Sequence, residues 1–375
     1  MRTLIPVLLL SVALAFLSEK SAIDANGNKN YNTRSAKIFF GLLVCVLALP
    51  VGLRTSYNDT WVYIQAFQGS PPLAELFVSG KLHILVNPAY NILICLLNEL
   101  TGNYHVFFLL TAFFIQYAFL KTIQRYSSSF TLGVLFYICL GTYVFTFAAL
   151  KQTIAMAFLM LSLPKLLNRQ YGIFYLLVFV GFLFHTYALA FAVLPLLVAK
   201  PWKVRTFVLI AVVVFVFTNF ESVIGSFLDY ANEQGKSVAE YEVFDNAQVN
   251  YFRVAVYGVV PMLSLLFVRY LRHGNNPQYD LLIHMSLISL AFMILGTVSG
   301  ANMFGRMATY FEIGMICSLT WIIDRSFEPK SVKLVSATAV ICFFCYFVYA
   351  WHFNLDFDAA YSSITIIQFA RSLFV

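Results

Sequence analysis

Isolated polar and charged side chains interrupt the apolar runs of this sequence, and their types are those that bind anions and move protons. Arg54 follows an apolar run that ends at Leu53, and Asp59 comes shortly after it among aromatic residues. Lys151 stands between two long apolar runs, and His185 interrupts the stretch VGFLFHTYALAF. Because an imidazole titrates near neutral pH, His185 suits proton transfer. A lysine buried between apolar runs needs a partner, which a bound substrate can supply.

Structural explanations compete with these functional ones. Arg54 can anchor a helix end by extending to the membrane interface, or it can pair with Asp59. Asp59 can instead cap a helix that begins at Thr60, and the aromatic residues around it can form an interfacial belt. Lys151, with Gln152 beside it, can be the tip of a tight hairpin, and the lone histidine can be a core residue. We predict a functional role for the lysine and the histidine.

A second group of such residues lies in GANMFGRMATYFEIGM. Arg306 and Tyr310 have the i, i+4 spacing that places two residues on one helix face, and Glu312 lies well around the helix from them. An ionisable residue inside a membrane helix is functional by default or pairs with another charge. We predict a functional role for Arg306. For Arg253, which opens another apolar run, an anchoring role and a substrate contact are equally good explanations.

No metal or cofactor motif accompanies these residues. The sequence has no zinc-ligand spacing, P-loop, GxGxxG or nucleophile elbow. Carboxylates cluster only in residues 221–250, and their spacing is not that of a calcium loop. We therefore predict chemistry that needs neither a metal ion nor an organic cofactor.

The composition indicates a membrane protein. Of the 375 residues 61% are hydrophobic and only 11% are charged, whereas soluble domains carry about 25% charged residues. The formal charge of +7 gives no reason to expect nucleic acid, because lysines and arginines of membrane proteins report sidedness. A crossing helix needs about 20 apolar residues. Candidate runs lie at residues 3–17, 37–53, 104–120, 130–150, 151–166, 204–220, 251–268, 281–299, 306–323 and 332–351.

We therefore predict an all-α, polytopic integral membrane protein with about 10–13 membrane helices, some of them short, re-entrant or broken. The positive-inside rule makes six basic connections cytoplasmic. They contain Lys20, Lys29, Arg34 and Lys37; Lys121 and Arg125; Lys165 and Arg169; Lys200, Lys203 and Arg205; Arg269 and Arg272; Arg325, Lys330 and Lys333. Because the connections on both sides of each segment are cytoplasmic, the chain between them must cross the membrane an even number of times. We therefore predict that residues 84–100 form a short re-entrant or interfacial helix, and that 171–199 form two short helices that meet near His185.

The remaining isolated charges fall on the outer side. The predicted organisation is a single membrane domain, residues 1–375, with an outer loop at 54–83 and an acidic outer loop at 221–250. Residues 1–17 are similar to a signal peptide, but no small-x-small cleavage pattern precedes Ser18. We therefore predict a retained first span.

Five motifs in a fixed order resemble the EpsG family of bacterial exopolysaccharide and O-antigen (Wzy-type) polymerases. They are GLR with the following Asp59 and Tyr63, NPAYNILICLLNELTGNYHVFFLLTAF, KQTIAMAFLMLSLPKLL, FLFHTYALAF, and Arg306 followed by Tyr310 and Phe311. The resemblance covers about residues 38 to 325.

The motifs depart from the family pattern at two places. Gly-Thr-Asp or Gly-Ser-Asp is usual before the aromatic stretch, where this chain has Tyr57-Asn58-Asp59. Arg-Gln often opens the middle motif, where this chain has Lys151-Gln152. A lysine cannot offer a phosphate the bidentate fork of an arginine.

The resemblance implies a multi-pass enzyme of the bacterial plasma membrane that joins oligosaccharide repeat units carried on undecaprenyl diphosphate. Its implied partners are this lipid-linked glycan, membrane lipids, a flippase and a chain-length regulator. The residues assigned on this basis are His185, Asp59 and Arg306 as catalytic, and Arg54, Lys151, Gln152, Arg253, Tyr310, Tyr57, Trp61 and Tyr63 as substrate-binding. Either His185 or Asp59 takes the proton from the acceptor hydroxyl.

Two other classes of function fit the sequence. One is a related membrane glycosyltransferase or ligase that uses a prenyl-linked donor and a different acceptor. The other is a polysaccharide or lipid transporter without chemistry. Internal repeats would favour the transporter, and the sequence has no convincing repeat.

Overall fold

Helices make up 81% of the computed structural model, which has almost no strand. It describes residues 1–375 apart from 25–26, 79–86, 209, 213–214, 216–247, 272–275, 299–300 and 374–375. The chain forms two compact units, Met1–Leu189 with Pro329–Val375, and Ala190–Glu328, and each is described by itself. The prediction of an all-α polytopic membrane protein is confirmed.

The first unit begins with ten helices and a short strand. They are α1 (Leu4–Ala22), α2 (Arg34–Gly52), β1 (Arg54–Ser56), α3 (Thr60–Gln68), α4 (Leu73–Val78), α5 (Pro88–Thr101), α6 (Tyr104–Tyr126), α7 (Phe130–Cys139), α8 (Thr142–Ala148), α9 (Leu150–Leu167) and α10 (Tyr171–Phe184). A 3₁₀ helix, Thr186–Leu197, follows α10.

The second unit contains α11 (Tyr251–Leu266), α12 (Val268–Leu271), α13 (Pro277–Leu295), α14 (Ala301–Thr309) and α15 (Glu312–Ser326). The chain then returns to the first unit with α16 (Pro329–Val348), a π-helical turn (Tyr349–Asn354), α17 (Phe357–Ala360), β2 (Ser362–Ser363) and α18 (Ile366–Ser372). Most of the acidic loop predicted at 221–250, and much of the span predicted at 204–220, lie outside the described residues.

Six described helices are long and apolar enough to cross a membrane, and a bent pair, α7 with α8, makes up to seven. The six are α1, α2, α6, α9, α13 and the continuous segment Pro329–Asn354. Three shorter apolar helices accompany them: α10, the 3₁₀ helix and α11. In the segment predicted at 84–100 as a short re-entrant or interfacial helix, the described residues form the 14-residue helix α5, which has Pro88 in its first turn.

Local chemistry explains where several helices start and stop. Thr33 caps α2 by accepting from the N–H of Ala36, and Ser129 caps α7 by accepting from the N–H of Leu132. The run predicted as one span at 130–150 bends by 49° between α7 and α8. Gly141 allows this bend, because its φ of +98° lies in the left-handed region that favours glycine.

Two further runs are broken. The run predicted at 306–323 is interrupted between α14 and α15, at Tyr310 and Phe311. The break predicted near His185 is confirmed, since this residue is extended (φ −157°, ψ 123°) between α10 and the 3₁₀ helix.

The long helices of the first unit pack side by side. Helix α1 packs on α2 and α7, α2 on α6, α6 on α9, and α9 on α10. Glu19 near the end of α1 accepts four hydrogen bonds, from Lys29, Ser129 and Thr131, which tie this helix to the start of α7. At the other end of α2, Gly52 allows close approach to α6, because a Cβ there would lie 2.8 Å from Leu109 Cα.

Candidate functional site

Arg54 lies directly beyond the last turn of α2, where helix carbonyls have no intrahelical partners. Its Nη1 donates to the carbonyl of Val51, and its Nε donates to Thr60 Oγ1 at 3.1 Å. The guanidinium also covers the ring of Phe108, 4.2 Å from the ring centroid. The side chain is 0% exposed. Arg54 therefore folds back on its own helix and does not extend to the surface as an anchor.

The charge of Arg54 has no counter-charge among the described residues. None of the ion pairs found in the described part of the chain involves it, and its buried Nη2 has no hydrogen-bond partner there. Burial lowers the pKa of Arg54 to about 10, and the phenol groups of Tyr63, Tyr361 and Tyr90 act in the opposite direction. The guanidinium is thus protonated at neutral pH. A buried cation with an unused donor is costly, and an incoming anion would offset that cost.

The pair between Arg54 and Asp59, one of the alternatives that the sequence left open, is absent from the described structure. Asp59 occupies the N-cap position of α3, but its side chain makes no capping hydrogen bond, so the second alternative is not realised either. The preceding Asn58 has a φ of +45°, and asparagine tolerates this left-handed conformation better than most residues. The resulting turn gives Thr60, and not Asp59, the position that contacts the guanidinium. The half-buried carboxylate of Asp59 is left for other chemistry.

Lys151 lies in the first turn of α9, beside two tyrosines. Its Nζ is 5.0 Å from the ring centroid of Tyr90, whose ring makes an edge contact with Tyr63 at 6.3 Å between centroids. The Tyr63 hydroxyl accepts a hydrogen bond from the N–H of Leu150 at 3.1 Å. The phenols of Tyr63 and Tyr90 also interact electrostatically with Arg54 and raise its pKa. The two tyrosines therefore link both cations in one corner of the first unit.

Several hydrogen bonds place this corner at one end of the first unit. Ser18 donates to the carbonyl of Ala36 at 3.0 Å, so the end of α1 meets the start of α2. His105 Nδ1 lies 3.4 Å from the carbonyl of Gly52, so the start of α6 meets the end of α2. The first two helices thus have their basic residues at one end, and Arg54 lies at the other. We call the latter the Arg54 end: it contains Arg54 and the starts of α3, α6 and α9.

Gln152 and His185 belong to the same end. Gln152 is buried in the first turn of α9. Helix α10 returns along α9 after the short connection 168–170, and its Gly181 lies against Ala155. This antiparallel pairing brings His185, immediately after α10, to the Arg54 end. The imidazole makes an edge contact with Tyr187, with 5.1 Å between ring centroids.

The three aromatic residues predicted to stack on sugars differ in exposure. Trp61 is 60% exposed, whereas Tyr57 and Tyr63 are only 8% and 7% exposed. Tyr57 packs against the rings of Phe147 and Phe357, with centroid distances of 5.9 Å and 4.9 Å. Of the three, Trp61 alone presents an open ring face, so a stacking role fits it best.

The other predicted site residues lie in the second unit. Arg253 covers the ring of Tyr257, with 5.6 Å from its guanidinium carbon to the centroid. The Tyr257 hydroxyl donates to Glu312 Oε1 at 2.7 Å, and Glu312 is only 1% exposed. Arg306 is half-buried in the last turn of α14. Tyr310 is fully buried and lies beyond the end of α14, so the helix on which it was predicted to share a face with Arg306 stops before it.

Sequence reasoning missed the aromatic and C-terminal residues around Arg54. Tyr90 lies within the motif NPAYNILICLLNELTGNYHVFFLLTAF, and Tyr361 lies beyond the last predicted span. Tyr361 donates from its hydroxyl to the carbonyl of Pro50 at 2.9 Å. Its only sequence signal is an aromatic residue in the short polar segment FDAAYSS, which does not reveal a contact made with residues near position 50.

Metal ligands do not gather in the described parts of the chain. Within the described ranges, no group of three or more His, Cys, Asp or Glu side chains could hold a metal ion. The polar groups described at the Arg54 end include two cations, several phenols, the imidazoles of His105 and His185, and the carboxylate of Asp59. This set suits binding of an anion and transfer of a proton.

The fold and this set of side chains define a class: an all-α, multi-pass membrane protein with a buried arginine and a half-buried lysine at helix ends. A model of the EpsG family matches residues 37–365, and the chain belongs to this family. Membership supports an exopolysaccharide-type polymerase in general, and so a glycosyltransferase-type membrane enzyme of polysaccharide biosynthesis. No curated protein matches the chain, and no solved structure matches it.

Proposed function

We propose that this protein joins oligosaccharide repeat units, carried on undecaprenyl diphosphate, into a polysaccharide at the outer face of the bacterial plasma membrane. The reaction is metal-independent. The acceptor sugar hydroxyl of one unit attacks the anomeric carbon of another. The bond from that carbon to the diphosphate oxygen breaks, and the lipid diphosphate leaves with the bonding electrons.

The buried, unpaired guanidinium of Arg54 carries this proposal. A leaving diphosphate gains negative charge as the glycosidic bond breaks, and preorganised donors in a dry site stabilise such charge strongly. Arg54 offers an unused Nη2 donor, and its positive charge is not neutralised by any described carboxylate. Lys151 supplies a second cation beside Tyr90. Its position in the first turn of α9 adds the favourable field of a helix N-terminus.

The proton from the acceptor hydroxyl goes to Asp59 or His185. Asp59 has a half-buried carboxylate that neither caps α3 nor pairs with Arg54. His185 lies where α10 ends, at the same end of the unit. Trp61 stacks on a sugar ring through its exposed face. Tyr63 holds the start of α9 by accepting from the N–H of Leu150, and Gln152, Tyr57 and Tyr63 are substrate contacts in this proposal.

Arg306 as a catalytic residue, and Arg253 and Tyr310 as substrate contacts, remain part of the proposal because of their sequence pattern. They belong to the second unit. The apolar helices hold the prenyl chain, while a flippase delivers the substrate and a chain-length regulator acts on the product.

The test uses purified protein in liposomes with a synthetic prenyl-diphosphate repeat unit. A ladder of longer glycans supports polymerisation. Single additions would instead indicate a ligase or a related glycosyltransferase, and the absence of covalent product would favour a transporter. Arg54→Ala should abolish the ladder, whereas Arg34→Ala should not, because Arg34 is exposed at the opposite end of α2. EDTA should leave the ladder unchanged, and its loss would contradict metal independence.

A further inference from the structure

We propose that Tyr361 is a positioning residue that keeps Arg54 ready for the diphosphate. This inference rests on the proposed function of the Arg54 end. Tyr361 belongs to residues 355–372, which we call the C-terminal strap, and it acts on the substrate only through Arg54.

The C-terminal strap holds the backbone around Arg54. Strand β2 pairs antiparallel with β1, and Arg54 lies opposite Ser363. The N–H of Ile364 donates to the carbonyl of Leu53 at 3.0 Å, and Ser56 Oγ donates to the carbonyl of Ala360 at 3.1 Å. These bonds join the strap to residues on both sides of Arg54, so the arginine backbone cannot shift without breaking them.

Tyr361 connects the C-terminal strap to α8 and to the end of α2. Its ring stacks on Phe357 with 5.0 Å between centroids and makes an edge contact with Phe147 at 5.6 Å. Its hydroxyl donates to the carbonyl of Pro50 at 2.9 Å. Burial raises the pKa of Tyr361, and a hydrogen bond with Ser363 and the positive charge of Arg54 partly oppose this shift. The phenol is thus close enough to the guanidinium for the two groups to interact electrostatically.

The carbonyls at the end of α2 explain why this hydroxyl matters. Pro50 and Val51 both lie in the last turn, where carbonyls lack intrahelical donors. Arg54 Nη1 donates a hydrogen bond to the carbonyl of Val51, and the Tyr361 hydroxyl donates one to the carbonyl of Pro50. If the hydroxyl were removed, the carbonyl of Pro50 would become an unsatisfied acceptor, one residue before the carbonyl of Val51 that the guanidinium already contacts, and the guanidinium has an unused Nη2. The guanidinium would turn towards that carbonyl, and the donor would be withdrawn from the substrate.

The experiment compares Tyr361→Phe with Tyr143→Phe. Tyr143 is a matched control: its hydroxyl donates to the carbonyl of Leu47 on the same helix at 3.1 Å, and its ring also packs on Phe147. Each change is made in the full chain, alone and together with Arg54→Ala. Binding of undecaprenyl diphosphate to the purified proteins is measured, together with the kcat and KM of polymerisation for the proteins with intact Arg54.

Tyr361→Phe should weaken binding about tenfold, the size of one lost hydrogen bond at the upper end of its usual net value, and should lower kcat more than it raises KM. In the Arg54→Ala background the same change should have no further effect on binding, as expected for residues that act as a unit. Tyr143→Phe should change the binding affinity by no more than about twofold, whether Arg54 is present or replaced by alanine, because Tyr143 is not coupled to Arg54.

Two results would overturn the inference: equal effects of Tyr361→Phe and Tyr143→Phe, or an undiminished effect of Tyr361→Phe once Arg54 is absent. Wild-type protein that binds undecaprenyl diphosphate but makes no polymer would overturn the proposed function alone, because the binding cycle would still decide the role of Tyr361. Wild-type protein that does not bind the lipid would overturn both.

Discussion

Replacing Arg54 with methionine separates a structural from a functional role for this buried cation. Methionine is unbranched, flexible and uncharged, so it fills part of the same space without the guanidinium. If Arg54 serves the substrate, the variant should fold as well as the wild type and should fail to polymerise. If Arg54 serves the fold, the variant should unfold.

The contacts of Arg54 set the size of the expected effects. The two hydrogen bonds, to Val51 and Thr60, contribute about 1.5–3 kcal/mol each when one partner is charged, and the contact with Phe108 contributes about 2 kcal/mol when desolvated. Against this stands the burial of an ion without a counter-charge, which costs several kcal/mol. We expect the free energy of unfolding to change by no more than about 2 kcal/mol, since replacing buried ions by apolar side chains is often neutral or stabilising.

The loss of activity should be far larger. Removing one donor from a site of charge development slows catalysis about 10²–10³-fold, and removing an arginine that stabilises a transferring phosphoryl group slows it about 10³–10⁵-fold. Stability is measured by heating the purified variant and determining the fraction that stays folded by size-exclusion chromatography. Activity is measured by the glycan ladder. Arg34→Met, at the exposed start of the same helix, controls for the loss of one positive charge.

A variant that unfolds at much lower temperature, while its folded fraction polymerises at the wild-type rate, would refute the reasoning. Arg54 would then serve only to satisfy the carbonyls at the end of α2.

Three further predictions concern other residues. Asp59→Asn and His185→Ala decide which residue is the base. Replacement of the base should slow polymerisation about 10²–10⁴-fold, and wild-type rates of polymerisation in both variants would exclude both residues. Glu19→Ala removes the acceptor of four hydrogen bonds and should lower the free energy of unfolding by about 2–3 kcal/mol, measured by thermal unfolding; an unchanged midpoint would contradict it. Gly52→Ala places a Cβ 2.8 Å from Leu109 Cα and should destabilise the protein by about 1–3 kcal/mol, whereas Gly172→Ala, where a Cβ meets open space, should be nearly neutral.

The class of the protein could be predicted from the sequence because the signals for it are local. The length of apolar runs indicates spans, and the basic connections indicate which helix ends belong together. The order of short motifs indicates the family, which the match over residues 37–365 confirms. The break at His185 could also be predicted, since polar residues interrupt an otherwise continuous apolar run there.

The bends and breaks inside apolar runs were harder to predict. The run 130–150 is apolar throughout, so its hydropathy does not reveal the bend at Gly141. A lone glycine inside a helical pattern can be tolerated without a break. Only the positive φ of Gly141, which follows from packing, shows that the helix changes direction there.

The sequence left a pair between Arg54 and Asp59 open as one alternative, and the described structure does not contain it. Asp59 is near Arg54 in sequence and opposite in charge, yet the turn at Asn58 gives Thr60 the contact. The other neighbours of Arg54 come from α6, from α5 and from the C-terminal strap. Sequence by itself thus determined that this is a helical membrane protein of the EpsG family, with a set of cations at helix ends. Only the tertiary structure decided which groups surround each cation, because contacts between residues far apart in the chain depend on how whole helices pack and leave no periodic signal in the sequence.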